Sequence, residues 1–283
     1  MASILVDGLA YAMFLFIVSV GLSITMGLMG FVNLAHGAFA MAGGYVTVGA
    51  MRYAGLPFPA ALALAFIAIA AISVAFERLL YARLYAASEL EQALLSIGLA
   101  FMAIAGASYV FGPAPQQIGL PDYLSGHIDI GLRHVPAYRA FLIGAGLLLA
   151  IALWYGIERT PFGAKIRATV DNRRMAQSVV INVDLLFTLA FAIGSGLAAL
   201  GGGLSVHLTG LTPSFAMIYL VLFLLVVSVG GRGSVKGTLL AALVLGIADT
   251  AGKYFYAEAG GFFIYAAAMA VLLLRPAGLY GRN

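Results

Sequence analysis

Asn33 and His36 are the side chains best placed to do chemistry, because they stand close together inside Gly8 to Met51, a stretch without one charged residue. Gly27, Gly30, Gly37, Gly43 and Gly44 surround them, so backbone amides and carbonyls there can face a passing solute. Irregular polar backbone survives in hydrocarbon only where protein or a water-filled cavity covers it. His36 is therefore either a packing histidine bonded to a neighbouring helix or a group lining a path. A second glycine-rich group, Gly230, Gly231, Gly233 and Ser234, closes another uncharged stretch, Leu185 to Gly231. It is expected to match the first break as part of an internal inverted repeat, and both groups are expected to line a translocation path. His207, Thr209, Thr212 and Pro213 read as an outer turn, and the glycines from Gly194 to Gly203 as close helix packing.

Other chemistries are excluded by residue type and order. GGRGSVKGT (230–238) resembles a phosphate loop, but that pattern needs glycine immediately before the lysine and Val235 stands there. There are no cysteines, and no His, Asp or Glu cluster suggests a metal or a nucleophile with its base. No catalytic residue, metal or cofactor is expected. Of the acidic residues only Asp249 falls inside an expected membrane pass, which argues against a carrier driven by protons or sodium.

The elements that must position these groups are membrane helices. The chain is 63% apolar and 9% charged, so water cannot be its main solvent. A membrane helix needs roughly 20 apolar residues, and suitable segments fall at 9–30, 33–51, 58–76, 92–112, 140–157, 185–206, 214–230, 237–256 and 259–274. The expected fold is one all-α polytopic membrane domain over residues 1–283, with about eight to nine passes, some of them broken. Met1 to Gly8 carries Asp7 and no Lys or Arg, so a cleavable leader is not expected. Alternating sides puts Arg78, Arg83, the 159–174 cluster, Arg232, Lys236, Arg275 and Arg282 on one face, against Arg52, Arg133, Arg139 and Lys253 on the other. The positive-inside rule makes the first face cytoplasmic, with the N-terminus outside and the C-terminus inside. This distribution accounts for the net charge of +4 without nucleic acid as a partner.

One charged segment on that face, Glu158 to Asp184, is long. Thr160 and Pro161 form a helix start, and Asp171 is expected to cap a second short helix with Met175, Val179 and Val180 on its apolar face. Asp184 is expected to cap the helix beginning at Leu185, while Ser88 and Glu91 form a capping box before the helix from Gln92. The 158–184 segment is either a solvated loop or a coupling element docking on a separate cytoplasmic protein. Its length favours docking, since a turn between passes needs only a few residues.

GFVNLAHGAFAMAGGY (30–45), RTPFGAKIRATVDNRRMAQSVVINV (159–183), VGGRGSVKGTLLAALVLG (229–246) and LLLRPAGLYG (272–281) occur in this order along the chain. Together they resemble the inner-membrane permease subunit of bacterial ABC importers of the branched-chain amino acid type, specifically the shorter of two permeases. The resemblance implies a second dissimilar permease, two cytoplasmic ATPases and an extracytoplasmic substrate-binding protein. The family's Asn-x-x-His-Gly pattern falls on Asn33, His36 and Gly37, beside the path. Its ATPase-contacting segment falls on Thr160 to Val183, including Pro161, Phe162, Gly163, Arg167, Asp171, Arg173 and Arg174. The N-terminus and outer loops are leaner than the family's. Members of this type carry leucine-like amino acids, urea or short amides, or aromatic acids, and the sequence does not separate these. An ion-coupled carrier and a passive channel for a neutral solute are the rival readings.

Overall fold

The computed structural model describes residues 2–85, 87–129, 134–178 and 181–281, without the side chains of residues 2, 3, 129 and 134. Arg133, Val179, Val180 and Arg282, used above, lie outside the described residues. Long helices form α1 (Ala2–Met29), α2 (His36–Ala54), α3 (Phe58–Leu79) and α4 (Glu89–Phe111). A four-residue turn α5 (Asp122–Ser125) and a short antiparallel hairpin, β1 (His127–Asp129) with β2 (His134–Pro136), lead into α6 (Ala137–Arg159). The two short helices α7 (Pro161–Asp171) and α8 (Arg173–Ser178) precede α9 (Val183–Thr209), α10 (Phe215–Gly230), α11 (Val235–Phe255) and α12 (Phe262–Leu274).

Six helices, α1, α3, α4, α6, α9 and α11, are long and apolar enough to cross a membrane; α10 and α12 are apolar but shorter. With α2, which lies at the expected 33–51 span but is not among these apolar helices, nine helices fall at the expected spans among the described residues. Helix ends gather at two faces. Asp7 pairs with Arg139, joining the starts of α1 and α6, and the Lys253 ammonium near the end of α11 lies over the Tyr11 ring. At the opposite face the amide of Gly233, before α11, donates to the Ser23 carbonyl near the end of α1 (3.0 Å).

Small residues decide which helices are central. A Cβ built on Gly21 would lie 2.3 Å from the Gly194 carbonyl oxygen, one on Gly43 2.2 Å from the Ala199 Cα, and one on Gly246 2.7 Å from the Ala12 Cα. The backbones of α1, α2, α9 and α11 therefore touch with no side chain between them, the contact that drives association where lipid is as apolar as leucine.

The expected capping box is present: Ser88 Oγ accepts from the Glu91 amide, and Glu91 accepts from the Ser88 amide at 2.8 Å. Two other caps differ from the reading above. The N-cap of α9 is Asn182, whose Oδ1 accepts from the Leu185 amide at 2.9 Å, and Asp184 lies one residue inside the helix. In the same way Asn172, not Asp171, precedes α8 and accepts from the Met175 amide at 3.0 Å. In both cases the carboxamide sits one turn before the free amides, where a side-chain oxygen reaches them. Asn182→Ala is expected to cost about 1 kcal/mol of stability and Asp184→Ala much less, as read by thermal unfolding of the purified chain in detergent. Equal losses would contradict this assignment.

Candidate functional site

Two breaks meet beside the middle of α1. After α1 ends at Met29, residues 30–35 fold back alongside it, so α2 begins level with the middle of α1. His36 Nε2 lies 2.9 Å from the Val18 carbonyl oxygen. A carbonyl can only accept, so Nε2 carries the proton. Asn33 Oδ1 accepts from the Ala35 amide (3.0 Å) and from the Tyr81 hydroxyl (2.9 Å), and the Leu34 amide donates to Ser96 Oγ (3.2 Å). Asn33 and His36 are 2% and 1% exposed. These bonds are all made within the protein, as burial requires.

The segment before α10 repeats this geometry. Asn33 O accepts from the His36 amide, and Thr212 O from the Phe215 amide; Ala35 O accepts from Ala38 and Phe39, and Ser214 O from Met217 and Ile218. Gly30 and Gly210 both terminate the preceding helix with positive φ, 78° and 67°. These pairs share one sequence offset apart from a single residue between the glycine and the turn. The repeat partner of the Asn33 break is therefore 210–214, not the expected 230–234. The two α-helical starts abut: a Cβ on Gly37 would lie 2.0 Å from the Ala216 carbonyl oxygen. Gly37 and Ala216 occupy equivalent places, so their contact marks the local two-fold relation. Thr212, read from sequence as part of an outer turn, belongs to this site together with Ser214; at the offset set by these bonds VNLAHGAFA (32–40) lies opposite LTPSFAMIY (211–219) without one identical residue, so the sequence carried no signal for the pairing.

Gly230, Gly231, Gly233 and Ser234 lie elsewhere. Gly233 packs on Gly27, and its amide also donates to Ser23 Oγ (3.1 Å); along α1 this is roughly 8–14 Å from Val18 at 1.5 Å per residue. Gly231 and Gly233 have φ of 93° and 77°, values open to glycine at little cost. The turn is clamped by the closing segment, with the Leu279 and Tyr280 amides donating to the Val229 and Gly230 carbonyls. It borders a cavity of about 810 Å³ whose walls include Leu28, Trp154, Ile166, Arg167, Arg232 and Lys236.

The other wall of that cavity is α7. Thr160 Oγ1 accepts from the Gly163 amide (3.2 Å), with Pro161 in the first turn as expected. A Cβ on Gly163 would lie 2.0 Å from the Ile157 carbonyl oxygen, and the Arg167 guanidinium donates to that same carbonyl. One side of α7 is thus fixed to the end of α6. Gly163, Ile166 and Thr169 are buried and Phe162 half-buried, while Pro161, Ala164, Lys165, Ala168 and Asp171 are exposed. Arg174 is exposed on α8, and the Arg173 guanidinium stands 4.8 Å over the Phe187 ring.

One acidic residue departs from the sequence reading. Because α3 continues to Leu79, Glu77 lies inside a helix and is 2% exposed. It accepts from the Tyr85 hydroxyl and from Thr188 Oγ1 (2.7 Å). Asp249, also buried, pairs with Lys253 at 2.6 Å. Neither carboxylate is bonded to Asn33 or His36.

The model of the family described as branched-chain amino acid transport system / permease component matches residues 4–273. The chain belongs to this family. Members are transport components, not enzymes. Among curated relatives, the high-affinity branched-chain amino acid transport system permease protein LivH of Salmonella typhimurium is 26% identical over 281 residues, covering 94% of this chain and 91% of that protein. BraD of Pseudomonas aeruginosa, under the same description, is 26% identical over 293 residues, covering 98% and 95%. The ribose import permease protein RbsC of Haemophilus influenzae is 29% identical over 144 residues, covering 48% and 44%.

Proposed function

We propose that this chain is one of two dissimilar permease subunits of an ATP-driven importer in a bacterial inner membrane, working with two cytoplasmic ATPases and an extracytoplasmic binding protein. The observation that carries this reading is α7, fixed to the permease along one side and open along the other. Such a helix can receive force from a separate protein and deliver it to α6. Thr160 and Pro161 start it, Gly163 and Arg167 hold it, and Phe162, Asp171, Arg173 and Arg174 complete the docking surface with its neighbour α8. The face bearing α7 and α8 is cytoplasmic, because Lys and Arg concentrate there.

The path runs past Gly30, Asn33, His36 and Gly37 and past their repeat partners, where two helix starts meet without intervening side chains. The 810 Å³ cavity beside Gly230, Gly231, Gly233 and Ser234 is its cytoplasmic vestibule. The solute is a branched-chain amino acid: the relatives matched along nearly their full length carry that description, and the sugar permease matches less than half of the chain. An ion-coupled carrier is disfavoured, since Asp249 already has a cation and Glu77 is bonded to hydroxyls away from Asn33 and His36.

The test is uptake of radiolabelled leucine by vesicles holding the full importer. Accumulation is expected to need ATP on the ATPase side and to persist with a protonophore. Accumulation that ignores ATP and collapses with the proton gradient would overturn the proposal.

A further inference from the structure

We propose that the turn Tyr81–Tyr85 is a positioning element linking the docking helix α8 to the Asn33 break, with Tyr81 and Tyr85 as its two grips. The inference rests on the reading of α7 and α8 as the ATPase-docking segment. It concerns residues that neither the family pattern nor the docking surface includes.

Tyr81 opens a short 3-10 turn after α3 and is 2% exposed. Its hydroxyl donates to Asn33 Oδ1 (2.9 Å), and its ring stacks on Phe31, centroids 5.7 Å apart, with Phe191 at 4.9 Å. It therefore holds the break by both its polar and its apolar neighbours. At the other end of the turn the Tyr85 ring meets Phe187 edge-on at 5.2 Å. Phe187 in turn lies under the Arg173 guanidinium of α8. The line from α8 to the break is thus Arg173, Phe187, Tyr85, the turn, Tyr81 and Asn33, each member touching the next.

The turn is stiff enough to transmit displacement. Gln92 Nε2 donates to the Leu84 carbonyl (2.8 Å), and the Tyr85 hydroxyl donates to Glu77. Glu77 has no cation paired with it among the described residues and relies on Tyr85 and Thr188. A buried carboxyl oxygen is costly without a donor, so losing either hydroxyl leaves one Glu77 oxygen without its partner, and the two bonds hold α3, the turn and α9 together. Burial keeps both phenols well above their ordinary range, the facing Glu77 adding to this at Tyr85, so both remain donors. Between the grips Ala82 and Arg83 are exposed and unconstrained by packing, which leaves the two tyrosines as the turn's main anchors.

A network that only packs the helices would lower stability when cut, without altering how much solute moves per ATP. The importer, reconstituted with its ATPases and binding protein, separates the two roles through that ratio. Tyr81→Phe and Arg173→Gln, which do not touch each other, are each expected to lower solute carried per ATP by about twofold to tenfold. The double variant is expected to be no worse than the poorer single one, because both cut the same line. Multiplying losses, or ratios unchanged from wild type, would overturn the proposal. If Tyr81→Phe does not assemble, Tyr85→Phe, at the other grip of the turn, replaces it under the same criteria. Wild-type uptake that needs no ATP would instead remove the docking reading itself, a failure visible before any variant is measured.

Discussion

Gly37→Val is expected to reduce leucine uptake by the assembled importer by about tenfold or more while the chain still inserts in the membrane. A Cβ at this position would sit 2.0 Å from the Ala216 carbonyl oxygen, a main-chain atom that no rotamer change can move aside. The starts of α2 and α10 must then separate. Overpacking of this kind costs about 1–3 kcal/mol, and 1.4 kcal/mol corresponds to about tenfold in an equilibrium. Ala216→Gly is not expected to rescue the variant, because the obstructing oxygen belongs to the backbone. Rescue, or near-normal uptake by Gly37→Val at normal protein levels, would mean that the two helix starts do not meet as described.

Gly163→Val is expected to separate ATP hydrolysis from uptake. The added side chain would collide with the Ile157 carbonyl oxygen, 2.0 Å from the new Cβ, and that oxygen also receives Arg167. The close seam between α7 and α6 opens, although the exposed face of α7 remains able to dock. Hydrolysis by the ATPases should continue while solute carried per ATP falls by about fivefold or more, the lower end of typical coupling energies. Arg167→Gln should give a smaller loss in the same direction, since it removes the bond and leaves the backbone approach intact. A normal ratio in Gly163→Val would show that α7 does not transmit force through this seam.

Particular residues show how far the sequence could be read. Thr160, Pro161, Ser88 and Glu91 announced their helix starts because a cap is local: the side chain and the amide it serves lie within one turn. Asn172 and Asn182 cap where Asp171 and Asp184 are expected, because one residue of register decides which side chain reaches the free amide. The Asn33 break was legible from its polar residues in an uncharged stretch, and its partner at 210–214 was not. Gly230 to Ser234 offered a denser glycine signal, yet those glycines serve a tight turn and the closing segment. Tyr81, Tyr85 and Glu77 had no motif, since their roles depend on Asn33, Phe187 and Thr188, which are distant in sequence.

The order of apolar runs and charged loops determined by itself that this is a multi-pass helical membrane protein, and its motifs determined the family. Only tertiary structure decided which helices are central. By hydropathy α1 and α6 are equal, yet α1 is 89% buried over its apolar window and α6 17%. Lipid and protein interior are nearly the same solvent to a leucine, so hydropathy records the wish to leave water and not the choice between them. That choice is made by backbone contacts such as Gly21 with Gly194 and Gly37 with Ala216, which exist only once both chain segments are in place.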